Sequence, residues 1–258
     1  MMHKTVNLNT ENNSRLGAAA EYVAVRLSFE SEDTPLICAD VGADHAYLSI
    51  YLAESGICER VYATEINEGP CEKAKINIAS RRPLSVKCAD GAIRSMPLSE
   101  IVTVHSTDGL DTMEGRGINR VVICGMGGEV ISGILERAPF VRNSKIKLVL
   151  QPMSREAELR EYLAANGFEI IDEKLVADAD RVYAVIAAVW DGKKRDFSPS
   201  ELILGKNIIG RGGELFRSLL KRKLLHAKNR MKDASHSEYD ARLYGELSAL
   251  CQREHIEV

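Results

Sequence analysis

The sequence predicts an α/β fold: a mostly parallel, seven-stranded sheet with helices on both faces, followed by a small helical module. Short continuous apolar runs alternate with helical patterns between residues 36 and 191, as expected of strands buried on both faces. Two strand-like runs lie back to back at 168–191, which closes the series with an antiparallel hairpin. After Trp190 only helical periodicity remains.

The elements follow in order. LICADVG (36–42) reads as a strand and AYLSIYLAESG (46–56) as a helix stopped by Gly56. RVYATEIN (60–67) is a strand, and PCEKAKINIAS (70–80) opens with proline at a natural first helical position. VTVHSTDG (102–109) is a short strand. RVVICGMGG (120–128) is a strand running into glycines, and EVISGILERA (129–138) continues as a helix. KLVLQP (147–152) is a strand and REAELREYLAANG (155–167) a helix with a glycine stop. GKKRDFSPSE is a polar linker. Beyond it Leu215, Phe216, Leu219, Leu220 and Leu224 share one helical face, which predicts an antiparallel, coiled-coil-like module. The expected domains are residues 1–192 and 198–258.

Composition narrows the class. A hydrophobic fraction of 45% supports a packed core. No apolar run approaches the ~18 residues of a membrane span, and MMHKTVNLNTENNS has no apolar signal core. The six cysteines are scattered without a CxxC pair, so neither a metal site nor a disulfide framework is expected, and a cytoplasmic protein is the default. Net charge is −3, unevenly spread: residues 193–258 carry 14 Lys and Arg against 9 Asp and Glu. Such a basic appendage suits a polyanion, although a solvated helix face has the same composition. Oligomeric state is not legible, and a monomer is the default.

The first strand-to-helix turn selects the cofactor class. Ligands of open α/β sheets lie at the carboxyl ends of the strands. The first such end is Asp40-Val41-Gly42-Ala43-Asp44-His45. A dinucleotide turn wants glycines where this chain has Asp44 and Tyr47, and a carboxylate there repels a pyrophosphate. A cofactor with a cationic centre, a ribose and no phosphate fits better, and S-adenosylmethionine is such a molecule. Glu65 ends the second strand 23 residues after Gly42, where an acid typically binds ribose hydroxyls. Asp108 ends the third strand, within reach of an adenine amino group. Each acid alone could be a helix cap or a surface charge; three at successive strand ends form a pattern.

ADVGADHAYLSIYL, ATEINEGP, DGL, VVICGMGG and VLQP, in this order, resemble the bacterial tRNA adenine-22 N1-methyltransferase family, as do Arg15-Leu16 and Tyr183. The resemblance covers about residues 14–190 and implies a Rossmann-like class I methyltransferase domain with a tRNA-holding helical tail. It implies cofactor positions at Asp40, Gly42, Asp44, His45, Glu65, Asn67, Asp108 and Gly109. It also implies a target-base pocket walled by Gly125, Met126, Gly127 and Gly128, with Gln151 and Pro152 beside it. The departure is RRPLSVKCADGAIRSMPLSE (81–100), which is longer than usual, holds a rival Asp90, and reads as a hairpin near the substrate mouth.

The implied reaction puts a methyl group on N1 of adenine 22 in the D-arm region of tRNA. N1 already carries an in-plane lone pair, so alignment matters more than a general base. The Asn/Asp-Pro-Pro-aromatic motif of exocyclic-amine methyltransferases is absent from GMGG, which favours a ring nitrogen. Other readings stay open at this level: another RNA or a small molecule as substrate, an NAD-linked oxidoreductase, or a cofactor-binding RNA-interaction protein without catalysis.

Overall fold

The computed structural model describes residues 15–87, 91–232 and 237–256. Arg15–Ala24 forms α1, followed by β1 (Ile37–Val41), α2 (Tyr47–Glu54), β2 (Arg60–Glu65) and α3 (Glu68–Ala79). A small antiparallel pair, β3 (Leu84–Lys87) and β4 (Ile93–Met96), precedes α4 (Leu98–Ile101) and β5 (Val102–Ser106). Then come β6 (Arg120–Gly127), α5 (Gly128–Arg137), β7 (Lys147–Ser154), α6 (Glu156–Ala165), and the long strands β8 (Phe168–Asp178) and β9 (Arg181–Trp190). The chain ends in α7 (Pro199–Leu204), α8 (Lys206–Arg211), α9 (Glu214–Arg230) and α10 (Glu238–Arg253).

The main sheet has the order β5-β2-β1-β6-β7-β9-β8, and β9 runs antiparallel to both neighbours. Alternate strand residues face two separate cores: Val121 and Ile123 point to one, Val122 to the other. Helices α1 to α4 cover the Val122 face and α5 to α10 the opposite face. Phe216, Leu220 and Leu247 of the terminal helices belong to the same buried cluster as Leu159, Phe168 and Ile186. The polar stretch after Trp190 therefore leads to helices that share their core with the sheet.

Two buried cations fix the foot of α1. Arg120 and Lys147, the first residues of β6 and β7, are 0% and 1% exposed. Arg120 Nε donates to Val23 O at 3.1 Å and Lys147 Nζ donates to Val25 O, which satisfies carbonyls at the helix C-terminus.

The hairpin expected within 81–100 forms, but not at the predicted place. α3 runs down from the carboxyl end of β2, and β4 leads through α4 into the start of β5. The β3–β4 pair is thus rooted at the amino edge of the sheet, opposite the carboxyl ends of the strands where a ligand is expected. Asp90 lies outside the described residues.

β8 is an edge strand, and α8 covers that edge. Asn207 Nδ2 donates to Ile171 O at 3.2 Å, and Arg211 donates to Glu173 O and pairs with Asp172 at 2.7 Å. Capped edge carbonyls cannot recruit a second strand. The double substitution N207A/R211A is expected to raise the sedimentation coefficient with protein concentration more steeply than in the wild type. Matching concentration dependence in the two proteins would show that the cap has no such role.

Candidate functional site

The turn after β1 is held in an unusual conformation. Gly42 has φ +68°, a backbone conformation that favours glycine, and a Cβ there would lie 2.2 Å from Met126 Cε, so the thioether end would have to swing away. Its N–H and that of Ala43 donate to Thr64 O at 2.8 and 3.0 Å. Asp44 and Ala46 are also left-handed, with φ 50° and 59°. Each costs ~1 kcal/mol or more in a non-glycine residue, so the surrounding contacts must hold them. Glu65 Oε2 accepts the Asp44 N–H at 3.3 Å, and Ala46 N donates to Ala43 O at 2.7 Å. The Asp44 side chain, 64% exposed, is thereby presented at the carboxyl edge. His45 stays half-buried, its Nε2 3.6 Å from Asp44 Oδ1, and its carbonyl accepts from Asn77 Nδ2 at 3.0 Å.

Glu65 is the hub of this edge. It is 8% exposed, and its Oε1 accepts from Asn67 N at 2.9 Å and Asn67 Nδ2 at 3.1 Å. Asn67 thus spends its side chain on Glu65 rather than on capping α3. Thr107 N donates to Glu65 O at 3.1 Å, which draws the end of β5 to the same place.

The other two acids differ in setting. Asp40 is 4% exposed beneath the turn, and Ser49 Oγ donates to it at 2.6 Å. Burial pushes its carboxyl up to about 6, with Ser49 opposing. Asp108 is half exposed and pairs with Arg137 Nη2 at 2.9 Å. Gly109, φ +56°, is packed against Ile134, where a Cβ would come within 3.0 Å, so its visible work is to let α5 approach.

The far half of the site is the end of β6. Gly125 is exposed with φ +80°, and no atom lies within 4 Å of a Cβ placed on it. Its N–H donates to Gln151 Oε1 at 3.2 Å. Met126 folds back under Gly42 and against the core, joining the two halves. A Cβ on Gly127 would meet only Ser154 Oγ, at 3.4 Å, whereas one on Gly128 would lie 2.2 Å from Arg155 O. Gly128 is therefore the sterically required member of the pair, because α5 begins against the backbone that precedes α6. Gln151 is fully buried behind this loop.

The structure thus joins the ends of β1, β2, β5, β6 and β7 by direct contacts. Sequence reasoning missed the partners Ser49, Asn77 and Arg137. Ser49 alone left a trace, as a polar residue on the apolar face of AYLSIYL.

This sheet order, with one reversed strand and acids at the ends of its first three parallel strands, defines a class I methyltransferase architecture. The chain belongs to the family described as methyltransferase domain, whose model matches residues 29–186. It is 28% identical over 174 residues to the tRNA (adenine(22)-N(1))-methyltransferase of Bacillus subtilis. That match covers 67% of this chain and spans 63% of the Bacillus protein's own length. A Streptococcus pneumoniae protein, provisionally assigned as a tRNA (m1A22) methyltransferase, has a similar structure. Its TM-score is 0.68 at 28% identity, covering 90% of this chain and 96% of that one. The same Streptococcus protein in complex with S-adenosyl-L-methionine gives a TM-score of 0.69 at 25% identity, covering 92% and 97%.

Proposed function

We propose that this chain is a tRNA methyltransferase that uses S-adenosylmethionine to methylate N1 of adenine 22, in the cytoplasm. The observation that carries the reading is the acid set around a turn that repels phosphate: Asp44 and Glu65 linked by one hydrogen bond, with Asp40 below and Asp108 beside them. These residues fit the cofactor. Glu65 can accept from ribose hydroxyls, Asp44 offsets a sulfonium or ammonium charge, Asp108 can accept from the adenine amino group, and Gly42 gives the turn its left-handed backbone. His45, Asn67 and Gly109 complete this half by shaping the turn, Glu65 and the end of β5.

When bound, S-adenosylmethionine supplies an electrophilic methyl group. The protein's task is to place adenine N1 in line with it, and no side chain has to remove a proton from N1. N1 lies on the pairing edge, so the base must leave its stack. Gly125 to Gly128, backed by Gln151 and Pro152, offer a mostly bare backbone wall for a flat ring. We assign residues 1–192 to cofactor and base, and residues 198–258 to the tRNA backbone. The exposed Arg217, Lys221, Arg222 and Lys228 on α9 supply sequence-independent phosphate contacts.

Unmodified tRNA incubated with methyl-labelled cofactor should acquire label at adenine 22 and nowhere else. A tRNA with guanine at that position should stay unlabelled. Label on another nucleotide or on an exocyclic amine, or none at all, would overturn the reading. Calorimetry should show S-adenosylmethionine binding and no NAD binding.

A further inference from the structure

We propose that Arg15 is a positioning residue that sets the methyl-acceptor loop through Gln151. The proposal rests on the methyltransferase reading of the Gly125–Gly128 loop. α1 crosses one face of the sheet as a strut, its foot held by Arg120 and Lys147 and its head at the carboxyl edge. At that head the Arg15 guanidinium lies 5.0 Å above the Tyr183 ring centroid. Its Nε donates to Asp178, and its Nη1 donates to Gln151 Oε1 at 3.3 Å and contacts Met153 Sδ at 2.9 Å.

Gln151 Oε1 thus accepts from two donors, Arg15 and the Gly125 N–H, while Nε2 donates to Pro152 O at 2.7 Å. A flipped amide would put its NH2 against both donors, so the network permits one orientation. Gly125 has no side chain to pack, and it is the bulge residue between the Cys124–Gln151 and Met126–Pro152 pairs, so the strand register gives it no partner on β7. The Gln151 hydrogen bond is its peg, and Arg15 holds the peg. Direct contact of the arginine charge with the target ring would oppose the positive charge that the ring gains on methylation. Asp178 neutralises that charge, which suits a role in positioning.

The test compares Arg15→Ala and Arg15→Lys with the wild type. For Arg15→Ala, cofactor Kd and Tm should change little. The value of kcat on tRNA should fall about 10-fold or more with KM nearly constant, because small misplacements of a reacting pair are costly. Exchange of the Gly125 amide hydrogen should become faster. Arg15→Lys keeps a donor and should recover part of both effects. Unchanged Gly125 exchange in Arg15→Ala, or a raised KM with normal kcat, would overturn the proposal, the latter by making Arg15 a phosphate ligand. If the wild type methylates no tRNA, the functional reading fails, while Gly125 exchange still decides whether Arg15 sets the loop.

Discussion

Glu65→Gln is expected to weaken S-adenosylmethionine binding by about 10- to 100-fold. Hydrogen bonds to a charged acceptor are worth ~1.5–3 kcal/mol, and each ~1.4 kcal/mol is tenfold in affinity. The change removes more than one contact. Glu65 uses one oxygen for both Asn67 donors and the other for the Asp44 N–H. Glutamine has one acceptor oxygen, and its NH2 must then face an N–H. Either Asn67 or the left-handed Asp44 loses its partner, so the turn loosens as the proposed ribose acceptor is lost. Asp108→Asn should cost less, because Arg137 and solvent already share that charge. Titration calorimetry on the two variants tests the ranking. A Glu65→Gln protein that binds within twofold of wild type would move the cofactor site away from β2.

How far the sequence reaches follows from this contrast. The strands are legible because burial on both faces demands unbroken apolar runs, as in VVIC and LVL. The first turn is legible because Asp44 stands where a phosphate turn needs glycine. Local chemistry of this kind survives in one dimension. What is lost is pairing across long separations. Arg120 and Lys147 read as polar strand starts, yet both are buried, because Glu30 and the end of α1 fold over them. Arg15 meets Gln151 and Asp178 only because α1 spans the sheet. The tail reads as a separate module, since a linker precedes it and its apolar face has the helical period. That period cannot show that Phe216 and Leu220 share a core with Phe168. The three glycines of GMGG also look alike in sequence, and only the approach of Arg155 O singles out Gly128.

The same buried pairing yields the largest expected loss of stability. Glu30 is bidentate on Arg120, with contacts of 2.5 and 2.9 Å, and their side chains are 3% and 0% exposed. Burial works against the Glu30 carboxylate, but Arg120, the Leu27 N–H and Lys147 outweigh it and hold its pKa below the usual value. Glu30→Gln keeps the shape, takes from the buried Arg120 its carboxylate partner, and leaves Lys147 with Asp172 alone opposing its loss of charge. Breaking such a pair from one side costs about 3–5 kcal/mol, which predicts a Tm lower by roughly 10 °C. The pH dependence separates this account from a simple packing defect. Burial, with Arg120 beside it, pushes Lys147 down to about 8, and Glu30 opposes that shift. Without Glu30 the folded-state pKa of Lys147 falls further, while the unfolded value is unchanged. The folded variant sheds that proton more readily, so this part of its deficit is full below the variant's lowered pKa and shrinks as pH rises toward about 8. In the wild type, Glu30 contributes fully above its unfolded pKa, and its contribution is lost as pH falls through its lower folded pKa. The deficit must therefore also shrink in acid. Thermal melts of both proteins from acid to pH 9 measure this difference, and a deficit independent of pH would mean that Glu30 acts through shape and not through charge.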